Sequence, residues 1–329
     1  MNLYIREMTN KLELFNIKKI MKNIKFINNV YLRKVIKHIF KIVIMVKYNY
    51  FYYCGKIVEN PQKNYVELLI PNKQKNNKNI INRWIKNLNK ILKTGKFDNI
   101  IISERLKKLD KINCLSSVPY NTEGKKLLKY MLNDVIKYIC NIRNERVENQ
   151  TIYVLVNSYS KENLEILENL ALSVKSLNII TQNLKRFLIF SNRIYEKEEV
   201  LITVSNNKRK ALNKAKIIIN IDFSDDIINK YNINRLSIFI NLSPNNVNTI
   251  KGFSGIFING LNIKEYNNIK NIGIKHSNLF NKTNFYESII YNNYNLKSAS
   301  EKIKEDKIEI NFLIGKSGKI DISEYKKIA

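Results

Sequence analysis

Four short polar stretches in the second half of the chain follow strand-like apolar runs, and they hold the side chains with the most chemical scope. Asn157 and Ser158 follow the run 152–156. Thr181, Gln182 and Asn183 follow 177–180. Ser205 and Asn206 follow 200–204, and Asp222 follows 217–221. Hydroxyls, amides and one carboxylate at strand ends suit the binding of a small polar ligand. Asp222 fits a general base or a ribose ligand, although a lone carboxylate at a strand end more often caps the turn that follows it. No second carboxylate stands at a spacing that suits paired acid–base work or a metal site.

Cations stand beside these stretches. Lys185 and Arg186 come two and three residues after Asn183, where a 2′-phosphate would be received. Solvated cations at the start of a capped helix are the other reading. Lys208, Arg209 and Lys210 open a segment, 208–215, that reads as a helix. Three cations at a helix N-terminus oppose its dipole at about 0.3–1 kcal/mol each, which a bound anion would relieve. A plain solvated face also accounts for them.

The elements that position these residues are read from hydrophobic periodicity. From 152 onward, strand-like runs at 152–156, 177–180, 200–204, 217–221 and 236–242 alternate with helix-like segments at 162–174, 184–195 and 208–215. Alternation of this kind predicts parallel βαβ units, and right-handed crossovers make a doubly wound, Rossmann-like sheet. After Pro244 come shorter strands at 255–258 and 308–314. Gly315-Lys316-Ser317-Gly318 is a hairpin turn, because a phosphate loop needs GxxxxGK[ST] spacing.

The first half reads as three pieces. Residues 1–45 form a basic helical extension, with Ile17, Ile20, Met21, Ile24 and Ile27 at helical spacing among lysines. It is a packed helix, a membrane-surface helix, or sequence upstream of a true start at Met45. Residues 46–148 form a small α/β domain: strands flank the turn at Glu59-Asn60-Pro61, helices cover 80–92 and 125–141, another strand covers 99–103, and a short basic helix begins at Glu104. The aromatic run Tyr48, Tyr50, Phe51, Tyr52, Tyr53 fits a core-facing hairpin or a base-stacking surface. Residues 149–329 form the Rossmann-like domain with a β-rich C-terminal extension. The fold class is therefore α/β with two domains.

Composition limits the function. The 329 residues carry 57 basic and 28 acidic side chains, a formal charge of +29. Only ten of the basic residues are arginine, and alanine occurs five times. Abundant Asn, Lys and Ile with scarce Ala, Gly and Pro is the signature of an AT-rich genome, so much of the charge reflects codon usage. Its distribution is more telling: residues 1–150 hold 31 basic and 11 acidic side chains, the remainder 26 and 17. That asymmetry points to an anionic partner for 1–150, a nucleic acid or a membrane surface, or to no more than acidic helix patches in the second half. Cys54, Cys114 and Cys140 are distant and odd in number, which argues for reduced thiols in a cytoplasmic protein and against a disulfide or zinc framework. His38 and His276 are too few for a histidine-based site. The opening lacks the apolar core of a signal peptide, and the apolar run near 38–47 is broken by lysines, well short of the ~20 residues that span a bilayer.

The first βα turn decides how far a dinucleotide reading goes. A G-x-G-x-x-G turn lets the backbone approach a pyrophosphate. Here the turn is Val156-Asn157-Ser158-Tyr159-Ser160-Lys161-Glu162-Asn163, without glycine, and Ser158 or Ser160 reads as a helix cap. With this layout and the endings Thr181-Gln182-Asn183 and Ile217-Ile218-Ile219-Asn220-Ile221-Asp222, residues 46–245 resemble two-domain dehydrogenases of the shikimate dehydrogenase type. The resemblance implies a substrate domain ahead of an NADP-binding domain. The glycine fingerprint and a Lys–Asp catalytic pair are missing. The chain also looks like uncharacterised proteins of AT-rich clostridia, which implies no known activity. Three functions follow: a ligand- or nucleotide-binding domain without a defined catalytic set, an NADP-type oxidoreductase with an atypical phosphate loop, and a basic scaffold for nucleic acid or a membrane surface.

Overall fold

The computed structural model describes residues 2–7, 56–60, 65–70, 99–102, 124–243, 247, 250–264, 280–291 and 295–327. The chain divides into two compact units, 1–122 with 274–288, and 123–273 with 289–329.

In the first unit, strands β1 (Asn2–Glu7), β2 (Lys56–Asn60), β3 (Tyr65–Ile70) and β4 (Asn99–Ile102) form one sheet in the order β2-β3-β1-β4. β2 and β3 pair antiparallel, Asn60 with Tyr65; the turn expected at Pro61 lies outside the described residues. β1 is interior and parallel to both β3 and β4. This corrects the helical reading of 1–45 at its start. Leu3 and Ile5 alternate with Asn2, Tyr4 and Arg6, a period of two that suits a strand. The rest of that expected helix, the run 48–53, the helices at 80–92 and from Glu104, and Cys54, Cys114, His38 and His276 lie outside the described residues.

The second unit begins with helices α1 (Lys125–Tyr130) and α2 (Leu132–Ile142), which the sequence reading places ahead of the boundary at 148. They follow the apolar pattern expected for 125–141, with a break at Met131. Leu127, Leu128, Val135, Ile136, Ile139 and Cys140 are fully buried.

The unit is built around six parallel strands: β5 (Thr151–Leu155), β6 (Ser176–Ile180), β7 (Ile202–Ser205), β8 (Ile217–Asn220), β9 (Ile238–Asn241) and β10 (Ile256–Ile258). Their order is β10-β9-β8-β5-β6-β7. Counted within the sheet this is 3-2-1-4-5-6 read from the β7 edge, the doubly wound Rossmann-like order. Helices α3 (Lys161–Ala171) and α4 (Leu184–Glu198) make the first two crossovers. β8 is buried at every residue, as befits an interior strand covered on both faces. Leu155, Ile180, Ile218, Phe223 and Phe239 gather in one apolar cluster.

The crossover between β7 and β8 departs from expectation. Residues 208–214 are successive turns, not a helix. Asn207 Oδ1 accepts from the Arg209 and Lys210 N–H groups at 3.1 and 3.0 Å. The Lys208 and Leu212 carbonyls accept from the Asn232 and Asn234 backbone N–H groups at 2.8 and 3.1 Å. A chain segment further along thus takes acceptors that a helix would use internally, and the apolar spacing of Ala211, Leu212 and Ala215 serves packing instead.

Helix α5 (Asp225–Ile228), between β8 and β9, is a single turn. Strands β11 (Gly260–Ile263), β12 (Ile310–Gly315) and β13 (Gly318–Lys319) form the antiparallel extension. Gly315 pairs with Gly318 across the expected two-residue turn, where Gly318 has φ 113°, a left-handed conformation that glycine accepts without strain. Helices α6 (Lys282–Tyr291), α7 (Leu296–Glu305) and α8 (Ile322–Lys327) were not marked by the periodicity of the sequence. Among the described residues no helix is long and apolar enough to cross a membrane.

Candidate functional site

The strand order reverses between β5 and β8, and the residues that leave their carboxyl ends stand side by side. β5 and β8 are paired in register from Ile152 with Ile217 to Leu155 with Asn220. The chain then runs into Asn157 and Ser158 on one side and Asp222 on the other. The Asp222 carboxylate accepts from the Asn157 N–H through Oδ1 at 2.8 Å and from the Ser158 N–H through Oδ2 at 2.7 Å. Charge-assisted bonds to backbone N–H are among the stronger hydrogen bonds in a protein. Asp222 therefore caps the first βα loop of the sheet, and its own following turn is held by another residue, Asn220.

Asn157 continues the network towards β6. Its Oδ1 accepts from the Gln182 N–H at 2.8 Å and from the Thr181 hydroxyl at 3.3 Å, while Thr181 Oγ1 accepts from the Asn183 N–H at 3.0 Å. Thr181 is fully buried. Ser205 Oγ accepts from the Asn207 N–H at 3.1 Å. Asn157, Ser158, Thr181, Asn183 and Asp222 thus form one linked edge, and Ser205 sits on the next strand out.

The cations fall differently. Lys185 and Arg186 are exposed in the first turn of α4, and neither makes an ion pair among the described residues. Asn206 and Lys208 are exposed, and Lys208 belongs to the turns described above. The expectation of an anion at a helix N-terminus there has no helix to rest on, and two of its N–H donors are already held by Asn207.

Ser160, not Ser158, is the helix cap: its Oγ accepts from the Asn163 N–H at 3.3 Å. The buried Asn163 donates from Nδ2 to the Ser158 carbonyl at 3.1 Å and accepts from Lys129 Nζ at 3.3 Å. Lys129 also pairs with Glu162 at 3.1 Å. The turn is fixed by side chains where a dinucleotide site would have bare glycine backbone.

Sequence reasoning missed a buried amide row on the other half of the sheet. Asn220 donates from Nδ2 to Asn241 Oδ1 at 3.1 Å, and Asn241 donates to Asn259 Oδ1 at 3.4 Å. Asn220 also folds onto its own turn, donating to the Phe223 carbonyl at 3.0 Å and accepting the Phe223 N–H at 2.9 Å. Close by, Lys125 Nζ donates to the Ser243 carbonyl at 2.8 Å. The signal was present: Ile-Ile-Ile-Asn at 217–220 and Ile-Phe-Ile-Asn at 238–241 and 256–259 each end an apolar strand on the same amide.

A cleft of about 320 Å³ lies elsewhere on the unit, lined by Lys129, Asn133, Lys137, Ile166, Ser300 and Lys304 among others. None of the strand-end residues lines it. No group of three or more His, Cys, Asp or Glu side chains among the described residues is arranged to hold a metal ion. Cys140 is buried and unpaired; burial, aided by Glu145, pushes its thiol up to about 11 against the opposing pull of Arg143. That is the setting of a structural thiol, not a nucleophile.

No protein-family model and no curated protein matches the chain. Among solved structures, it is similar to a Trypanosoma cruzi protein assigned as an aspartate carbamoyltransferase, at 15% identity and a TM-score of 0.24. The match covers 51% of this chain and 56% of that one, so it spans little more than half of either. A likeness this slight carries no argument about activity.

Proposed function

We propose that the second unit is a ligand-binding Rossmann-like domain whose ligand sits at the switch point between β5 and β8. The strand order carries this reading: in open α/β sheets the crevice outside the carboxyl ends, where the crossovers diverge, is where ligands bind. Asp222, Asn157 and Ser158 stand at that switch point, and the buried Thr181 braces Asn157 from behind. Each Asp222 oxygen accepts one backbone N–H and keeps further lone pairs for a ligand. A fixed carboxylate beside hydroxyl and amide groups suits a ligand that presents hydroxyls, such as the ribose of a nucleoside. It disfavours the pyrophosphate of a dinucleotide, because the loop N–H groups are already donated and the local charge is negative.

A second reading, NADP binding, is favoured by Lys185 and Arg186, two cations beside the end of the second strand with no ion pair among the described residues. A cytoplasmic setting is supported by the buried free thiol of Cys140. Binding of nucleic acid or a membrane surface by 1–150 rests on the charge asymmetry of the sequence.

A thermal-shift series with adenosine, ATP, NADH and NADPH tests the first two readings. Occupancy at a hundredfold excess over Kd stabilises by about 2.7 kcal/mol, which moves the midpoint of a unit of this size by several degrees. A shift with adenosine, smaller with ATP and lost in Asp222→Ala, supports the nucleoside reading. A shift with NADPH alone, lost in Lys185→Glu with Arg186→Glu, moves NADP to first place. No shift with any of the four overturns both.

A further inference from the structure

Helix α4 meets its own unit along one side only. Phe187, Phe190, Ser191 and Ile194 are buried, and Lys197 reaches Glu168 of α3 at 3.0 Å. β7, which follows α4, is an edge strand. The Thr181 N–H donates to the Ser205 carbonyl, so that carbonyl faces β6. Ile202 lies three residues earlier and turns its carbonyl the opposite way, to the open edge, because strand groups alternate with a period of two. Ser191 Oγ donates to this carbonyl at 3.1 Å. One flank of α4 therefore points away from α3 and past the edge of the sheet.

That flank carries Lys185, Leu188, Asn192 and Tyr195 at the 3-4-3 spacing of a helix seam, continued by Glu199 at the C-cap. All five are exposed; Leu188 and Tyr195 are 48% and 56% accessible, unusual for apolar side chains on one stripe. The order is cation, apolar, amide, apolar, anion. Laid antiparallel on a second copy with Asn192 meeting its own counterpart on the axis, Lys185 lies level with Glu199, and Leu188 and Tyr195 are offset by one residue, about 1.5 Å of helix rise, which leaves their side chains in reach of each other. A two-fold interface requires this kind of self-complementarity, since residue i touches j while j touches i. Antiparallel helices also set their dipoles head to tail. Leu201, 74% accessible just past the C-cap, adds apolar surface at the same end.

We infer that the chain pairs with a second copy of itself through the α4 flank, antiparallel about a two-fold axis at Asn192. The contact is a small one, so the pairing is that of a weak, transient interface.

Sedimentation equilibrium of the full chain tests it, over a range from about 5 to about 200 μM, in which association with a Kd in the micromolar range changes the mean mass. The mass should rise from 38.9 kDa towards twice that value. Leu188→Asp, at an exposed position, should raise Kd at least tenfold, roughly the effect of burying one unpaired charge. Lys185→Glu should weaken pairing by setting like charges together, and Lys185→Glu with Glu199→Lys should restore it to within about threefold of the parent. Recovery in the double variant also shows that the chain remains folded. A monomer at every concentration, a dimer indifferent to Leu188→Asp, or a double variant as weak as Lys185→Glu alone each overturns the inference.

Discussion

Asn220 and Asn241 occupy equivalent positions on adjacent strands, and the side-chain N–H of the first reaches Oδ1 of the second at 3.1 Å with both residues fully buried. Such a pair holds the carboxyl edge of the sheet in register, because any slip would leave buried amides unpaired.

Asn220→Ala removes the three side-chain hydrogen bonds of Asn220 at once and takes those partners from the Phe223 N–H and from Asn241 Oδ1. Each buried polar group left without a partner costs about 1–3 kcal/mol. A loss of roughly 2–4 kcal/mol in urea denaturation is expected on that basis. A loss below about 0.5 kcal/mol, the range of inert surface changes, would show that the row contributes nothing.

Asp222→Asn tests the cap across the switch point. The amide keeps one acceptor oxygen and turns an NH2 against one of the two loop N–H groups. Destabilisation by about 1–3 kcal/mol is expected, with Asp222→Glu also destabilising because the longer side chain misplaces the carboxylate. Equal stability of all three proteins would refute the cap.

Gly255→Ala probes a close approach. A Cβ at this position would run into the Ser237 carbonyl and come within 2.9 Å of Phe253 Cζ. The Ser237 carbonyl is backbone and already accepts the Ile256 N–H at 3.1 Å, so it has little room to yield. Overpacking here should cost upwards of about 1–3 kcal/mol, seen as a lowered midpoint or a loss of soluble protein.

Cys140 gives a pH dependence of defined sign. Its thiol is held near 11 in the folded chain against an ordinary value of about 9. Between these values the unfolded chain has released the proton and the folded chain still holds it. This contribution is therefore fully present below about 9 and is lost as pH rises towards about 11. Cys140→Ser should flatten the alkaline fall in stability. In a Cys54→Ser, Cys114→Ser background, a thiol reagent at pH 8 should label Cys140 only after unfolding; fast labelling of the native protein would contradict its burial.

The sequence was most legible where one kind of periodicity acts alone. The apolar runs ending at Leu155, Ile180 and Asn220 mark strands with little ambiguity, and Leu167, Leu170 and Ala171 mark a helix face. It was least legible where distant segments compete for the same groups. Ala211, Leu212 and Ala215 have helical spacing, yet Asn232 and Asn234 claim the carbonyls a helix needs. Leu3 and Ile5 were absorbed into the helical pattern that begins at Ile17, although their own period is two. At the site, the strand-end residues could be named in advance, but their partnership could not. Asp222 answers to N–H groups 64 and 65 residues earlier in the chain, and Asn241 to amides on both neighbouring strands.

That long reach of Asp222 has a kinetic meaning. The Asn157 and Ser158 amides have no acceptor within their own loop, so they gain protection only once β8 has docked beside β5. Their hydrogen exchange therefore reports the joining of the two halves of the sheet, separately from the formation of either half. A partly folded chain with β5, α3 and β6 in place but β8 undocked would exchange these two amides rapidly while protecting those of β6, and so mark an assembly step that bulk secondary-structure signals cannot distinguish.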